Sequence, residues 1–453
     1  MILPASVWGA NGQSLPGSRV GVALIGRGAM GGGHLRRLIS DPAFQVLAVC
    51  DVDRQRRETG RDIANEFYAA NRGKDKFQSC VACNDYREIL SRSDIDAVLI
   101  ATPDHWHSFQ SIDAARAGKD VYCEKPVSVT VEEGRRVVEA VRRYGRVFQT
   151  GTQYRSIPTI REVCQFVRQG GLGKVKSVFT MLTNLGTFIG GERFKPYSSV
   201  MNPAVCAKGY VPLDFALPAE PVPEGLDWDL WVGPGPFHPY NSLFHINPSP
   251  GVVPWSFCDA FGVTSSTWHL SHSVDVIQYA LGMENSGPVE IIHPSTGEFP
   301  TLTCRYATGT LLHFVDHWGL VKDPYHAVPE KARLAGLFGG IFVGERGWLT
   351  SMTTGGPIEG GPEDVFEAMK LKTREVNIGA NNHHENWLEC IHSRRSPSSN
   401  EEIGHRSASL GHIAYIALQT GQSLRWDPVL EQFAGNSTAN RLLSRLPRPP
   451  WRL

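Results

Sequence analysis

From Val20 onward, two kinds of segment alternate along the chain. Short apolar runs such as VGVALIG and FQVLAVCD alternate with stretches whose apolar residues recur at helical spacing, for example 54–69. The rhythm continues through DAVLIAT, DVYCEK and RVFQTG, with helices predicted between them at about 106–118 and 131–144. Strands that alternate with helices predict βαβ units, and so a doubly wound parallel sheet that closes near residue 150.

The pattern changes after residue 150. A helix at 156–170 and a strand at 174–182 precede a stretch rich in Pro, Gly and Trp, which we interpret as an insertion packed over the site because its aromatic side chains need burial. Beyond it, a helix at 272–281, β-like runs such as TLTCRYA and TLLHFVDHW, and helices at 382–393 and 402–419 predict an α+β domain with an open, mostly antiparallel sheet.

These patterns predict the division of the chain. We expect a disordered leader at 1–18, a dinucleotide-binding Rossmann domain at 19–150 and a C-terminal α+β domain for substrate and oligomer contacts at 151–453, with the insertion at about 183–254.

Charge and cysteine content narrow the function class. Lys plus Arg and Asp plus Glu both number 45, so no net field attracts nucleic acid or an anionic membrane. Nine irregularly spaced cysteines in 453 residues indicate reduced thiols, and there is neither a signal-peptide pattern nor an apolar run of about 18 residues. We therefore predict a cytoplasmic protein that binds no nucleic acid and no membrane.

A glycine-rich motif follows the first strand. The sequence GxGxxG is formed by Gly26, Arg27, Gly28, Ala29, Met30 and Gly31. Between a strand and a helix, the first glycine makes the turn, the second lets the backbone approach a pyrophosphate, and the third permits close helix–strand packing. Asp51 ends the second strand about 20 residues later, where a carboxylate accepts hydrogen bonds from the ribose of NAD and repels the phosphate of NADP. We predict NAD as the cofactor and NADP as the less favoured one.

Two further motifs end the next strands. ATPDHWH places Thr102, Pro103 and His107 at a carboxyl end, where open α/β sheets bind ligands. YCEKP does the same for Glu124 and Lys125. A lysine beside a cationic nicotinamide can exchange a proton with a hydroxyl, although most lysines are ordinary surface residues.

In this order, the motifs GxGxxG, CDVD, ATPDHWH, YCEKP, GTQYR and HSVD resemble those of the Gfo/Idh/MocA oxidoreductases. The resemblance covers nearly the whole chain. It implies that Lys125 is the catalytic lysine, that His272 is the acid/base histidine, and that Asp275 lies one turn after it. It also implies a homodimer or homotetramer formed through the open sheet.

The resemblance also suggests how a substrate is held. Gln153, Tyr154 and Arg155 occupy a segment that borders cofactor and substrate in the family. The alternative is a polar hinge between the domains, above all for Arg155. Many family members carry an aspartate where this chain has Trp268, so His269 or Tyr154 is left as a substitute. Four aromatic residues in or beside the insertion are candidate platforms for a sugar ring, although most of them are expected in the core: Trp255, Trp228, Trp231 and Tyr240.

Other chemistries have less support. Histidines cluster in DHWH, WHLSH and NHH, but without an HExxH context, so we predict no metal. Neither a GxSxG nor a P-loop pattern is present. The leading hypothesis is an enzyme that oxidises a secondary hydroxyl of a carbohydrate or cyclitol with NAD. The alternatives are a redox-neutral NAD-dependent glycosidase and a non-catalytic nucleotide-binding protein.

Overall fold

The computed structural model describes residues 19–73, 77–182, 217–247, 254–336, 338–352 and 357–453, without the side chains at 257 and 264–269. The predicted leader at 1–18 and most of the predicted insertion lie outside the described residues.

Six apolar runs of the N-terminal part form one parallel sheet with the order β3-β2-β1-β4-β5-β6. Its strands are β1 (Val20–Ile25), β2 (Phe44–Cys50), β3 (Val81–Cys83), β4 (Ala97–Ile100), β5 (Asp120–Cys123) and β6 (Phe148–Thr150). Its helices are α1 (Ala29–Ser40), α2 (Arg54–Arg72), α3 (Tyr86–Leu90), α4 (Asp104–Arg116) and α5 (Val131–Tyr144). Every residue of β1 and β2 is buried, as expected for strands covered on both faces. The predicted doubly wound sheet is confirmed.

The C-terminal part contributes a nine-stranded open sheet. Its strands are β7 (Val175–Met181), β8 (Glu290–Ile292), β9 (Thr303–Arg305), β10 (Leu311–Val315), β11 (Ile341–Gly344), β12 (Trp348–Thr350), β13 (Gly360–Gly361), β14 (Leu424–Asp427) and β15 (Gln432–Phe433). Strands β7 and β10 pair in parallel and the other described pairs of this sheet are antiparallel, which confirms the predicted mostly antiparallel sheet.

Three long helices cover one face of this sheet and form the largest core cluster with it. The helices of this part are α6 (Pro158–Arg168), α7 (Trp228–Val232), α8 (Ser242–His245), α9 (Thr264–Leu281), α10 (Gly319–Lys322), α11 (Glu363–Met369), α12 (His383–Ser393), α13 (Glu401–Thr420) and α14 (Ser437–Arg441). Helices α6, α9 and α13 supply the apolar layer. Among the described helices, none is long and apolar enough to cross a lipid bilayer.

The two parts share their cores. Trp387 of α12 is fully buried and stacks on Phe44 of β2, with ring centroids 5.7 Å apart. Near the C-terminus, Trp451 packs edge-on against Trp106 of α4 at 4.7 Å. The N-terminal sheet is therefore completed by segments that follow it by more than 200 residues in the chain.

The described part of the predicted insertion, residues 217–247, packs on the parallel sheet. Trp228 and Trp231 stack at 4.6 Å, and both belong to a buried aromatic cluster together with Tyr240 and Phe261. Backbone hydrogen bonds join Gly225 to α2 and Asp227 to Val52. These aromatics are core residues, as expected for most of them, and they place the segment beside the end of β2.

Candidate active site

The turn between β1 and α1 leaves room for an anion. Gly26 has φ +88° and its amide donates to Cys50 O, while a Cβ at Gly31 would lie 1.9 Å from Gly26 O. Gly28 is the N-cap of α1 without a side-chain cap, and no atom lies within 4 Å of the place its Cβ would take. The uncapped amides and the open space fit the pyrophosphate of a dinucleotide.

Asp51 follows β2 with its carboxylate fixed by two backbone amides. Oδ2 accepts from the amide of Arg27 at 2.7 Å and Oδ1 from that of Asp53 at 3.0 Å. Burial raises the pKa of this carboxyl, and the positive charge of Arg56 opposes that rise. Each oxygen retains a lone pair for a ribose hydroxyl.

One cavity of about 1050 Å³ brings most of the predicted site residues together. The predicted residues on its wall are Gly26, Gly28, Ala29, Met30, Asp51, Thr102, Pro103, His107, Glu124, Lys125, Gln153, Tyr154, Trp255 and His272. Gly31 lies behind the wall because it packs against Gly26. His269 belongs to α9, and its side chain lies outside the described part of the chain.

Lys125 is 8% exposed at the end of β5. Burial lowers its pKa to about 8, against the opposing negative charges of Glu124 and Asp104. A lysine in this range exchanges protons near neutral pH, as a catalytic acid or base must.

Glu124 is held by a chain of buried polar groups. Its Oε1 accepts from His34 Nε2 at 2.9 Å and from Gln153 Nε2 at 2.7 Å. His34 Nδ1 in turn lies 3.0 Å from His384 Nε2, and Gln153 also donates to the hydroxyl of Tyr122. Burial alone would raise the pKa of Glu124, but the hydrogen bond from His34 and the electrostatic interactions with His34, Lys125 and His272 together outweigh it and lower that pKa to about 2. Glu124 is therefore a fixed negative charge beside Lys125.

His272 reaches the cavity from α9. Its ring is 4.2 Å from that of Tyr154 and 5.5 Å from that of Phe338, centroid to centroid. The side chains of His272 and Lys125 thus come from different domains to one cavity.

Arg155 and Asp275 do not line the cavity. They form a buried ion pair in which Arg155 donates to Oδ2 and Oδ1 of Asp275, each at 2.7 Å. Arg155 also binds Glu284 and the carbonyl of Ser398. The contacts of this pair favour a structural role, the polar hinge considered for Arg155, over the substrate contact predicted for both residues.

The cavity also contains residues that the sequence interpretation left out. They are Asp104, Gln110, His34, Phe338, Asn381 and, from the aromatic segment, Phe244 and His245. Trp231 and His384, which the sequence suggested for a sugar platform and for zinc, also line the cavity. Asp104 stands inside the ATPDHWH motif, so the motif itself could have indicated it. His384 was part of a histidine cluster considered for zinc, but no group of three or more possible metal ligands occurs among the described residues.

Two family models match the chain. One describes an oxidoreductase family with an NAD-binding Rossmann fold and matches residues 20–152. The other describes the C-terminal alpha/beta domain of an oxidoreductase family and matches residues 210–313 and 366–453.

Individual proteins are similar over shorter stretches or only in fold. Levoglucosan dehydrogenase from Pseudarthrobacter phenanthrenivorans is 34% identical over 157 residues, which is 34% of this chain and 39% of that protein. A 2,7-anhydro-N-acetylneuraminate hydratase from Mediterraneibacter gnavus is 28% identical over 156 residues, 34% of this chain and 37% of that protein. The chain thus aligns with about two fifths of each relative's length. The WlbA dehydrogenase from Bordetella pertussis, solved with NADH and UDP-GlcNAcA, shares the fold at a TM-score of 0.53 and 15% identity, over 90% of this chain and 98% of that one.

Proposed function

The chain belongs to the Gfo/Idh/MocA oxidoreductase family, whose N-terminal domain is an NAD-binding Rossmann fold, and on that premise we propose that it oxidises a secondary hydroxyl of a carbohydrate or cyclitol with NAD. The observation that carries the proposal is the shared cavity. Lys125 and His272 line the same cavity as the glycine turn and Asp51. Residues that suit a dinucleotide and residues that suit proton transfer therefore meet in one place.

The proposed roles follow from the positions of these residues. When bound, NAD would supply the acceptor for the hydride that leaves the hydroxyl-bearing carbon. Gly28 and the first turn of α1 hold the pyrophosphate, and Asp51 accepts from the adenosine ribose. Lys125, as the neutral amine, takes the hydroxyl proton, and His272 is the second acid/base group. The charge of Glu124 stabilises Lys125 when that residue becomes an ammonium.

NAD is proposed over NADP because of Asp51. The negative charge of a 2′-phosphate would be repelled by this carboxylate, which two backbone amides hold in place. The guanidinium of Arg56, whose positive charge acts on Asp51, donates to the carbonyl of His245 at 2.7 Å. This arrangement favours a ribose with a free 2′-hydroxyl.

A redox-neutral glycosidase is the second candidate. Such an enzyme oxidises the sugar, eliminates the aglycone, adds water and reduces the product again, so it needs a further base. Tyr154 supports this candidate because its ring contacts that of His272 on the cavity wall. The similarity to a relative named as a hydratase of an anhydro sugar points the same way.

The test is a spectrophotometric screen of the purified protein with NAD or NADP against free sugars, inositols, levoglucosan and aryl glycosides. It follows reduced cofactor and released aglycone together. Stoichiometric NADH from a free sugar or cyclitol supports the dehydrogenase, and aglycone release without net NADH supports the glycosidase. Lys125→Ala should abolish either activity, with the exposed Lys176→Ala as the matched control. Turnover that survives Lys125→Ala would exclude Lys125 as the essential base, and NADH binding by the wild type without turnover of any substrate would favour the non-catalytic alternative.

Assembly and compartment are also proposals. A homodimer or homotetramer through the open nine-stranded sheet is tested by light scattering after gel filtration. The eight described cysteines are buried free thiols, which suits the reducing cytoplasm. Fractionation of cells that express the natural protein tests that location.

A further inference from the structure

Asp104 is a buried carboxyl on the wall of the cavity. It is the first residue of α4, directly after the loop that follows β4, and only 1% of its surface is exposed. The backbone of Val263 hydrogen-bonds to this carboxyl. Its Oδ2 has no hydrogen-bond partner among the described residues. A buried carboxyl oxygen without a partner is costly, so its presence on the cavity wall calls for an explanation.

The loop of Asp104 is fixed against the loop of Lys125. Strands β4 and β5 are neighbours, with Ile100 opposite Cys123. Beyond their ends, His107 of α4 bridges the two loops, with Nε2 2.8 Å from Thr102 O and Nδ1 2.6 Å from Pro126 O. Asp104 and Lys125 therefore face one cavity from loops that cannot separate without breaking this bridge.

Burial and the surrounding charges shift the pKa values of Asp104 and Lys125 toward each other. Burial raises the pKa of Asp104 well above its ordinary value, while Lys125 and Arg445 oppose this and Glu124 adds to it. Burial lowers the pKa of Lys125 to about 8, against the charges of Glu124 and Asp104. His34, His107 and His272 are further titratable groups that face Lys125 or its neighbour Glu124. A carboxyl with an ordinary pKa would be too weak a base to take a proton from an ammonium, but this one is raised toward it.

We propose that Asp104 is the proton acceptor behind Lys125, and this inference rests on the proposed oxidation. As the carbon–hydrogen bond of the substrate gives up its hydride to the cofactor, the hydroxyl proton passes to Nζ of Lys125. One proton of the ammonium then passes through water in the cavity to Oδ2 of Asp104, which restores the amine. Asp104 loses that proton to water in the cavity when the product leaves. Because Asp104 acts through Lys125, it is a positioning residue in the proton path.

The test measures protonation of Lys125 directly and needs no substrate. Trace labelling with acetic anhydride between pH 6 and 11, with the Lys125 peptide quantified by mass spectrometry, gives the pH midpoint of its amine. Asp104→Asn removes a negative charge that raises this midpoint, so we expect labelling to move about one unit to lower pH. Asp113→Asn is the matched control, because Asp113 lies on the same helix, outside the cavity, and binds Tyr86 and Arg116. An Asp104→Asn midpoint equal to that of the wild type would overturn the proposal.

Two further measurements keep the test decisive. NADH fluorescence should show that Asp104→Asn still binds cofactor with an affinity close to that of the wild type. If this variant does not fold, the wild-type labelling curve decides, because a coupled pair gives a curve broader than that of one titrating group. A single-group curve would refute the pairing. If no substrate is turned over but Asp104→Asn shifts the labelling midpoint, the proposed function is rejected and the coupling of Asp104 to Lys125 stands. If a substrate is turned over but the midpoint does not shift, the proposed function stands and the role of Asp104 is rejected.

Discussion

Replacing Arg155 by methionine should destabilise the protein strongly, because the guanidinium neutralises a carboxylate with no access to water. Side-chain exposure is 4% for Arg155 and 0% for Asp275. The substitution removes both 2.7 Å hydrogen bonds to Asp275. Glu284 keeps a partner, since Arg168 lies 2.6 Å from its Oε2. Asp275 is left with the hydroxyl of Ser407 at 3.3 Å.

The magnitude follows from this burial. Removing one member of a buried ion pair costs about 3–5 kcal/mol, because the other charge stays buried without compensation. Because the two parts share their cores, we take an unfolding entropy of about 2.1 cal/mol/K per residue over the 453 residues of the chain, so this loss lowers Tm by about 3–5 °C. Asp275→Leu should cost less, since Arg155 keeps Glu284 and the carbonyl of Ser398.

The assay is thermal unfolding by calorimetry, for the two single variants and for Arg155→Met/Asp275→Leu. The double variant removes both charges, so it should be more stable than the sum of the single losses predicts. Exposed Arg168→Met is the control, and it should change Tm by no more than about 2 °C, because exposed ion pairs contribute little. A loss below about 1 kcal/mol for Arg155→Met, or strict additivity in the double variant, would refute the reasoning. Unchanged stability with a raised KM would instead restore the substrate-binding role predicted from the sequence.

Three further predictions concern the cofactor and the proton. Asp51→Ala should weaken NADH binding by about 10- to 100-fold in a fluorescence titration and affect NADPH less, because a hydrogen bond to a charged group contributes about 1.5–3 kcal/mol; equal losses for both cofactors would contradict the assignment. Oxidation should gain rate as pH rises through about 8, because the depressed pKa of Lys125 makes the amine available above that value; a kcat/KM profile without a rise near pH 8 would count against this base. Gly31→Ala should cost about 1–3 kcal/mol and weaken NADH binding, since its Cβ would meet a carbonyl at 1.9 Å. Gly33→Ala, with nothing within 4 Å, should leave Tm unchanged or raise it, and equal effects of the two alanines on calorimetric Tm would contradict the packing argument.

Local patterns predicted secondary structure well where a segment carries its own start and stop signals. Helix α5 was predicted at 131–144, and the structure gives Val131–Tyr144, with Thr130 accepting from the amide of Glu133 at the start and Gly145 in the left-handed conformation at the end. Helix α4 begins two residues earlier than predicted, at Asp104, because Pro103 serves as its N-cap. Strand β3 was not predicted because its three residues, one of them exposed, carry no periodic signal.

What the sequence determined by itself is therefore the set of elements and the motifs at the carboxyl ends of the parallel strands. Hydrophobic periodicity and the glycine turn are local properties, so they predict the Rossmann sheet and place Asp51, Glu124 and Lys125 at one edge. The tertiary structure decided which distant side chains join them. It brings His272 into the cavity and turns the neighbouring Asp275 into an ion-pair partner of Arg155. Such choices depend on the packing of helices that are far apart in the chain. Within α9, a step of one turn from His272 to Asp275 leads from the cavity wall to a buried ion pair.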